Sequence, residues 1–492
     1  MQSRSSLRSK LIPSLFSSMC LLCVFAVSAA FSQAASKTDA PRKMTDAQII
    51  EDLRSHLDRA LAEGRLSGAV LVAKNGKILF EQAYGFADHA FNVPNKVDTK
   101  FNLGSMGKMF TGVSVLQLVQ EGKMSLDDKL IKDLPDYPNK DIAEKITIYQ
   151  LLTHTSGLGD FFGPEFAANS MAKFRTLESL LPLFVNKPLL FDPGTKWQYS
   201  NAGFIVLGLV IEHVSGESYY DYVRENVFKP AGMINTDNYN IDADVPNLAL
   251  GYTSVGDNMR PLPDGQRRSN IFILQRGGSA GGGYSTVEDL LRFSEALQGH
   301  KLLDKEYTHM DMTGKVATGR GDAKYGFGME EQFINGVRIV GHSGGGPGIS
   351  SNLDMYPDLG YAVAVTSNYD NGMQPIIERL RKELTGQELP KAIHLSSDIL
   401  KSFVGKYEVT SSPDGPPGRH LPPMAITADQ EGLWLDVGMG GRHRCLPLSP
   451  VEFFIEDSPD AQLTFTKDEK GQVTGLTAIS VAPFPLKATK LP

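Results

Sequence analysis

Apolar side chains recur at helical spacing within residues 101–119. The positions concerned are Met109, Val113, Leu116 and Val119. Residues three or four positions apart share one face of an α-helix, so the pattern predicts the start and body of a buried helix. Ser105 stands near its predicted N-terminus, and Lys108 follows one turn later.

The segment before this helix combines a helix signal with a hairpin signal. Residues 45–66 carry the apolar stripe of an amphipathic helix, with Thr45 as its predicted N-cap. Residues 68–80 contain two apolar runs joined by Asn75-Gly76, a dipeptide typical of β-hairpin turns. A helix followed by two antiparallel strands is therefore expected at the beginning of the folded chain.

The middle of the chain is helical, and the pattern then returns to strands. Residues 202–214 form an apolar run of helical length, whereas residues 350–356 and 361–366 predict two strands joined by a turn. A helix is expected again over residues 375–384. We expect the first and last segments to share one antiparallel sheet, flanked by helices and accompanied by a helical region, which makes the fold α+β.

A change of pattern near residues 385–397 predicts a domain boundary. Beyond it, apolar and polar residues alternate, for example in residues 432–437 and 462–466, and turns separate short strands. The chain should therefore contain a first domain over residues 35–390 and a small all-β, barrel-like domain over residues 397–492.

Residues 1–34 have the pattern of a secretory signal peptide. Three basic residues precede an apolar run over residues 19–27, and small-x-small sites follow. No later segment is long and apolar enough for a transmembrane helix, so a secreted or periplasmic protein is expected.

Charge and cysteine content exclude several functions. The formal net charge of the chain is −7 and the sequence has no basic block, which argues against nucleic-acid binding. Cys445 is the one cysteine left after signal removal, so an internal disulfide is not expected. No group of histidines and cysteines has metal-ligand spacing, and we expect neither a metal nor another cofactor.

Ser105 and Lys108 have the spacing of an activated nucleophile. Residues i and i+3 lie on one helix face, so the lysine amine can approach the serine hydroxyl. A partly buried lysine loses its charge more easily and can accept the serine proton. The pair alone favours a helix cap beside a solvated lysine, because S-x-x-K sequences often arise by chance.

Two further motifs follow in order, Tyr199-Ser200-Asn201 and His342-Ser343-Gly344. Together with Ser105-x-x-Lys108, they resemble the serine β-lactamase and penicillin-binding-protein superfamily. The likeness extends over residues 45–385. It is greatest to the branch with class C β-lactamases, D,D-carboxypeptidases and related esterases, and residues 151–158 and 282–286 add to it.

The resemblance implies a role for each motif residue. Ser105 would form an acyl-enzyme, and Lys108 would share general-base duty with Tyr199. Asn201 would orient Lys108 and bind substrate. His342, Ser343 and Gly344 would line the substrate site, and the backbone N–H groups of Ser105 and Gly345 would form the oxyanion hole. The C-terminal domain resembles the lipocalin-like β-domains that follow some of these hydrolases.

His342 departs from the pattern, because many relatives have lysine at this position. Histidine is largely neutral near pH 7 and offers little charge to a substrate carboxylate. The departure favours hydrolysis of small esters or D-amino-acid amides and peptides, with weak turnover of β-lactams. The expected partner is a small-molecule or peptide substrate, with peptidoglycan fragments among the candidates, and the oligomeric state is left open.

Two alternatives compete with this interpretation. Ser279 lies in a G-x-S-x-G sequence and could be the nucleophile of an α/β-hydrolase, provided that it follows a strand and precedes a helix. Alternatively, the chain could be a catalytically silent protein of the same fold that binds penicillin or peptidoglycan, since a fold alone does not establish activity.

Overall fold

An antiparallel sheet of eight strands runs through the larger part of the chain. The computed structural model describes residues 44–492, except residues 241, 257–261, 263–265, 274–275, 371, 411–422, 430–431, 438–441, 457 and 480–485. The predicted signal peptide, residues 1–34, lies outside the described residues.

The strands of this part are numbered in chain order. They are β1 (Gly68–Lys74), β2 (Lys77–Tyr84), β3 (Phe86–Asp88), β4 (Val93–Pro94), β5 (Phe101–Asn102), β6 (Tyr252–Thr253), β7 (Arg268–Ser269), β8 (Tyr284–Ser285), β9 (Val316–Ala317), β10 (Lys324–Tyr325), β11 (Glu330–Ile334), β12 (Val337–Gly346), β13 (Ile349–Tyr356) and β14 (Tyr361–Ser367). The order in the main sheet is β2-β1-β14-β13-β12-β11-β10-β9, while β3–β4, β5–β8 and β6–β7 form separate pairs. The first hairpin therefore joins the last strands, as the sequence predicts.

The α-helices lie before, between and after these strands. They are α1 (Asp46–Ala62), α2 (Gly107–Gln120), α3 (Leu130–Asp133), α4 (Lys140–Ala143), α5 (Ile148–Leu152), α6 (Pro164–Ala167), α7 (Asn201–Ser215), α8 (Tyr219–Val223), α9 (Lys229–Ala231), α10 (Val287–Gln298), α11 (Lys305–Asp311), α12 (Gln374–Thr385) and α13 (Ser397–Ser402). Thr45 caps α1 through a reciprocal pair of hydrogen bonds with Gln48.

Different helices cover the two faces of the sheet. In β1, Leu71 packs in the same apolar cluster as residues of α2 and α7. Its neighbours Val70 and Val72 pack in the cluster that contains residues of α1 and α12. Because successive side chains of a strand point to opposite faces, the continuous apolar run of β1 suits a strand that is buried on both sides.

Helix α2 is buried on almost every side. Eleven of its fourteen residues, including polar Lys108, Thr111 and Ser114, are inaccessible or nearly so. The hydroxyl groups of Thr111 and Ser114 are satisfied by hydrogen bonds, Ser114 to the Phe110 carbonyl and Thr111 to the Ser279 carbonyl. The structure thus holds the beginning of α2 firmly in the interior, between the sheet and the other helices.

The C-terminal strands close into a barrel of eight antiparallel strands. They are β15 (Gly405–Thr410), β16 (Met424–Ala428), β17 (Leu433–Asp436), β18 (Arg442–Pro447), β19 (Glu452–Ile455), β20 (Ser458–Lys467), β21 (Val473–Ile479) and β22 (Leu486–Lys490). The last strand pairs with the first, which removes the free edges of the sheet. Large side chains fill the interior, among them Phe403, Tyr407, Phe453 and Phe465.

Ion pairs connect the barrel with α1 and α12, the helices that pack on one face of the main sheet. The amine of Lys382 in α12 lies 2.6 Å from the Asp460 carboxylate in β20. Arg59 of α1 is equally close, 2.6 Å, to Glu456. The predicted domain boundary near residues 385–397 coincides with the segment between α12 and α13, although the limits of the two domains stay a prediction.

The α+β fold class that the sequence predicts is confirmed, including its all-β C-terminal part. Each pair of neighbouring strands in the main sheet is antiparallel. Within the described ranges, each helix is too short or too polar to cross a membrane.

Gly112 offers a test of the packing around α2. A Cβ atom at this position would lie 1.7 Å from the Phe327 carbonyl oxygen. Helix propensity alone favours alanine over glycine by about 1 kcal/mol. We nevertheless expect Gly112→Ala to lower the free energy of unfolding by about 1–3 kcal/mol, since overpacking of a tight core costs that much.

The measurement is denaturant unfolding of this variant and of Gly163→Ala as a control. Gly163 has extended backbone, and no atom lies within 4 Å of the Cβ position. A Gly112→Ala protein as stable as the wild type would contradict the close contact between α2 and residue 327.

Candidate active site

Ser105 lies in a single 3-10 turn, Gly104–Met106, which leads directly into α2. The turn packs closely against β12, because a Cβ atom at Gly344 would lie 1.9 Å from the Leu103 carbonyl oxygen. Ser351 of β13 reinforces this contact by donating a hydrogen bond of 2.7 Å to the same carbonyl. Glycine at position 344 therefore allows the strand to approach the serine turn.

A glycine-rich loop approaches Ser105 from another side. Gly281 has a φ of +131°, a value that side chains disfavour, and a Cβ atom there would lie 2.2 Å from the Gly104 carbonyl oxygen. The close approach brings the Ala280 carbonyl to the Lys108 amine, at 2.6 Å. The loop thus contributes a backbone acceptor to the site rather than a side chain.

Lys108 is fully buried beside Ser105, one helical turn further along. Its Nζ atom lies 3.2 Å from the Ser105 Oγ atom, 2.7 Å from the Asn201 Oδ1 atom and 2.6 Å from the Ala280 carbonyl oxygen. Burial disfavours the charged ammonium and lowers the pKa of Lys108 to about 7, while the negative charge of Asp160 acts in the opposite direction.

These three neighbours determine what the neutral amine can do. A neutral amine has two N–H groups and one lone pair. The oxygens of Asn201 and Ala280 can only accept hydrogen bonds, so they take both N–H groups. The lone pair then remains for the Ser105 hydroxyl, which can donate its proton to Lys108. The arrangement is that of a serine nucleophile with its general base.

Tyr199 lies just before α7, with its ring 4.7 Å from the Lys108 amine. Burial raises its pKa above the ordinary range, so the phenol stays protonated at neutral pH. Among the described residues its hydroxyl group makes no hydrogen bond of standard geometry, although Ser105 lies near enough to lower the pKa of Tyr199 against the larger effect of burial. A neutral phenol at this position can donate a proton, but it is a poor base.

The ring of His154 packs against the ring of Tyr199. The Ser200 N–H group donates to the His154 Nδ1 atom at 3.1 Å, so the proton of the neutral ring resides on Nε2. The imidazole ring packs 4.3 Å from the Tyr199 ring, and burial lowers its pKa well below the usual value. His154 is therefore a neutral residue that packs against the site.

Burial keeps His342 neutral, and two protein groups determine its tautomer. The Nδ1–H group donates a hydrogen bond of 2.5 Å to the Ser343 carbonyl oxygen, which leaves Nε2 as the acceptor of the Tyr325 hydroxyl at 3.0 Å. Burial lowers the pKa of His342 to about 4. Both ring nitrogens are thus engaged within the protein, and the side chain presents neither a charge nor a free nitrogen.

The end of β12 supplies backbone groups to the cleft. Strand β12 pairs with β13 over residues 340–346, but with β11 only over residues 337–341. The outer edge of residues 342–346 thus extends past the β11 pairing, next to the Ser105 turn. Ser343 is exposed there, between buried His342 and buried Gly344, and Gly345 follows it in the cleft wall.

A cleft of about 440 Å³ opens above these groups. Its lining consists of Ser105, Trp197, Tyr199, Arg320, Glu330, His342, Ser343 and Gly345. Arg320 and Glu330 form an ion pair of 2.5 Å at the opening, and the guanidinium also lies 5.6 Å from the Trp197 ring. The charged side chains of the lining therefore compensate each other.

The structure brings together the three sequence motifs that the resemblance selects. Sequence reasoning expects the loop from residue 160 to line the cleft, but it assigns no role to Asp160, Tyr325, Arg320, Glu330 or the Ala280 carbonyl. Asp160 stands two residues after the 151–158 segment that carries part of the resemblance, which was the one available signal. The other contacts join segments far apart in the chain.

The α/β-hydrolase alternative is wrong. Ser279 is completely buried, and its hydroxyl group lies against Gly208 of α7, away from solvent. The main sheet is antiparallel, whereas the nucleophile of an α/β-hydrolase follows a strand of a mainly parallel sheet. A buried hydroxyl cannot attack an external substrate.

The fold, together with Ser105 and Tyr199 in the cleft and the buried Lys108 beside them, defines a class of serine hydrolases. The Beta-lactamase family model matches residues 53–386, and the chain belongs to this family. The resemblance that the motifs indicate is thereby confirmed.

Three relatives illustrate the range of the family. Penicillin-binding protein 4* of Bacillus subtilis (strain 168) is 30% identical to this chain, over 82% of it and 91% of the relative. Esterase EstB of Burkholderia gladioli is also 30% identical, over 68% of this chain and 95% of the relative. A solved structure of a penicillin-binding protein from Bacillus halodurans is 35% identical, with a TM-score of 0.60, and the match covers 69% of this chain and 99% of that one.

The pKa of Lys108 predicts the pH dependence of Ser105 reactivity. The amine can accept a proton only when it is neutral, so the rate should be low in acid and rise with a midpoint near pH 7. The measurement is the rate of fluorophosphonate labelling at a series of pH values. A midpoint near the ordinary lysine pKa of about 10.4 would contradict the assignment.

The matched variant is Lys108→Ala. It should slow labelling by at least ~100-fold, the lower range for a positioned acid–base group. A labelling rate close to that of the wild type would mean that Lys108 has only a structural role.

Proposed function

We propose that the protein is an exported serine hydrolase that forms an acyl-enzyme on Ser105. Its preferred substrates are small esters or D-amino-acid amides and peptides, rather than β-lactams. The observation that carries the proposal is the position of the buried Lys108 amine, whose one free lone pair is directed at the Ser105 hydroxyl.

The first half of the reaction follows from this geometry. The Ser105 Oγ atom attacks the substrate carbonyl carbon while its proton passes to Lys108. The N–H groups of Ser105 and Gly345 stabilise the negative oxygen of the tetrahedral intermediate. Asn201 holds the Lys108 amine in place and also contacts the substrate.

The second half needs a proton for the leaving group. Tyr199 remains a neutral phenol and can pass a proton from Lys108 to the departing oxygen or nitrogen. The bond between carbonyl carbon and leaving group breaks, and the acyl group stays on Ser105. Water then attacks the ester carbonyl carbon and gives a proton to Lys108. The bond from this carbon to the Ser105 Oγ atom breaks, Lys108 returns the proton to Oγ, and the acid is released.

The cleft lining favours an uncharged acyl portion. His342 is neutral, and Arg320 is compensated by Glu330, so the described lining has no uncompensated cation for a substrate carboxylate. A charge-assisted hydrogen bond is worth ~1.5–3 kcal/mol, or roughly ten- to a hundredfold in binding. The similarity to Esterase EstB also supports a preference for ester substrates.

Export and partners are part of the proposal. Residues 1–34 have the pattern of a signal peptide, which supports a secreted or periplasmic location. Peptidoglycan fragments are available in that compartment of bacteria, and D-amino-acid peptides occur in them. The penicillin-binding relative supports this class of partner.

Covalent labelling tests the nucleophile. A fluorophosphonate should label the wild type on Ser105, whereas Ser105→Ala should show neither labelling nor turnover and should unfold at the same denaturant concentration. The Ser279→Ala variant is the matched control and should react like the wild type. An unlabelled wild type would favour the silent binding protein of the same fold.

A hydrolysis panel tests the substrate class. We expect kcat/KM for a p-nitrophenyl ester, or for a D-amino-acid amide, to exceed that for nitrocefin by at least ~10-fold, because no uncompensated cation receives the carboxylate of the β-lactam. Ser105→Ala provides the background rate. Efficient nitrocefin hydrolysis by the wild type would instead make the protein a β-lactamase.

A further inference from the structure

Asp160 contacts the catalytic asparagine from the side opposite to Lys108. Its Oδ2 atom accepts a hydrogen bond of 2.7 Å from the Asn201 Nδ2 atom. Its Oδ1 atom accepts a hydrogen bond of 3.0 Å from the Phe162 N–H group, two residues further along its own loop. The turn thus fixes the carboxylate so that one oxygen faces Asn201.

We infer that Asp160 is a positioning residue that orients the Asn201 amide and thereby directs the lone pair of Lys108 at Ser105. The inference rests on the proposed function. It adds a residue that the family motifs above do not contain and assigns that residue a specific effect on the base.

The argument depends on which end of the amide faces the lysine. A carboxylate can only accept hydrogen bonds, so Asn201 must turn its NH₂ group towards Asp160. Its carbonyl oxygen then faces Lys108, at 2.7 Å. The chemistry of the two neighbours therefore determines an amide orientation that electron density alone often leaves open.

A reversed amide would change the base. With its NH₂ group towards Lys108, Asn201 would donate to the amine and occupy the lone pair that Ser105 needs. The Ala280 carbonyl and the Ser105 Oγ atom would then accept the two N–H groups of the neutral amine. The lysine would then lie close to the serine but in the wrong orientation to accept its proton.

The negative charge of Asp160 has a second, separable effect. It raises the pKa of Lys108 against the larger, lowering effect of burial. Loss of this charge should therefore move the acid limb of the rate profile to lower pH. The other titratable or polar groups that face Lys108 are Ser105, Tyr199, Asn201, His154 and His342, together with the Ala280 carbonyl.

Two substitutions separate charge from orientation. Asp160→Asn keeps the size of the side chain but removes the charge, and Asp160→Ala also removes the hydrogen bond. Glu165→Gln is the matched control, because it removes a carboxylate from an exposed position in α6, five residues after Asp160. The readout is the rate of fluorophosphonate labelling of Ser105 as a function of pH, with denaturant unfolding to establish that each variant is folded.

We expect both Asp160 variants to shift the acid limb to lower pH, while Glu165→Gln leaves it unchanged. The plateau rate of Asp160→Ala should fall by about 10- to 100-fold, since a displacement of ~1 Å of a reacting group can cost ~100-fold. In an Asn201→Ala background, Asp160→Ala should lower the plateau rate by less than ~2-fold. Asp160 acts through Asn201, and the effects of substitutions within one hydrogen-bond network are not additive.

Three results would overturn the inference. Folded Asp160 variants with the plateau rate and acid limb of the wild type would exclude a role for Asp160. A lower plateau with an unmoved acid limb would indicate a purely structural role, and a full loss in the Asn201→Ala background would mean that Asp160 does not act through Asn201. A wild type without labelling on Ser105 would instead contradict the proposed function itself, and the inference with it.

Discussion

The burial of one amine is the constraint on which the site depends. An ammonium group removed from water is unstable, so Lys108 at zero exposure must either find compensation or lose its proton. The surroundings satisfy the neutral amine with two carbonyl oxygens, from Asn201 and Ala280, and leave Ser105 to the lone pair. The same burial that makes the lysine unstable as a cation makes it useful as a base near pH 7.

The rest of the fold brings three separate segments to this amine. Helix α2 carries Lys108 in the interior, α7 begins at Asn201, and the glycine-rich loop brings the Ala280 carbonyl. The glycine-rich loop and β12 approach the turn around Ser105 so closely that a side chain would collide with its backbone, which explains glycine at positions 281 and 344. A displaced loop would remove an acceptor from the amine.

Local patterns explain why much of this could be predicted. Helical spacing in α2, the Asn75-Gly76 turn and the alternation in the C-terminal strands are properties of neighbouring residues, and the motifs add Ser105, Lys108, Tyr199 and Asn201. Asp160 and Tyr325 escaped prediction because their roles depend on contacts between distant segments. The orientation of His342 escaped for the same reason, since the sequence indicates a neutral ring but not that Tyr325 and the Ser343 carbonyl occupy both nitrogens.

Burial determines which ionisable groups of the site carry a proton at neutral pH. It lowers the pKa of His342 to about 4 and that of His154 well below the ordinary value, while it raises the pKa of Tyr199 and Tyr325 above the ordinary tyrosine range. The two histidines and the two tyrosines are therefore all neutral at pH 7, although an ionised histidine is a cation and an ionised tyrosine is an anion. Among these five groups, only Lys108 changes its protonation near neutrality. Under the proposed function, one proton that Lys108 takes from Ser105 and that passes through Tyr199 to the leaving group would be sufficient for acyl transfer.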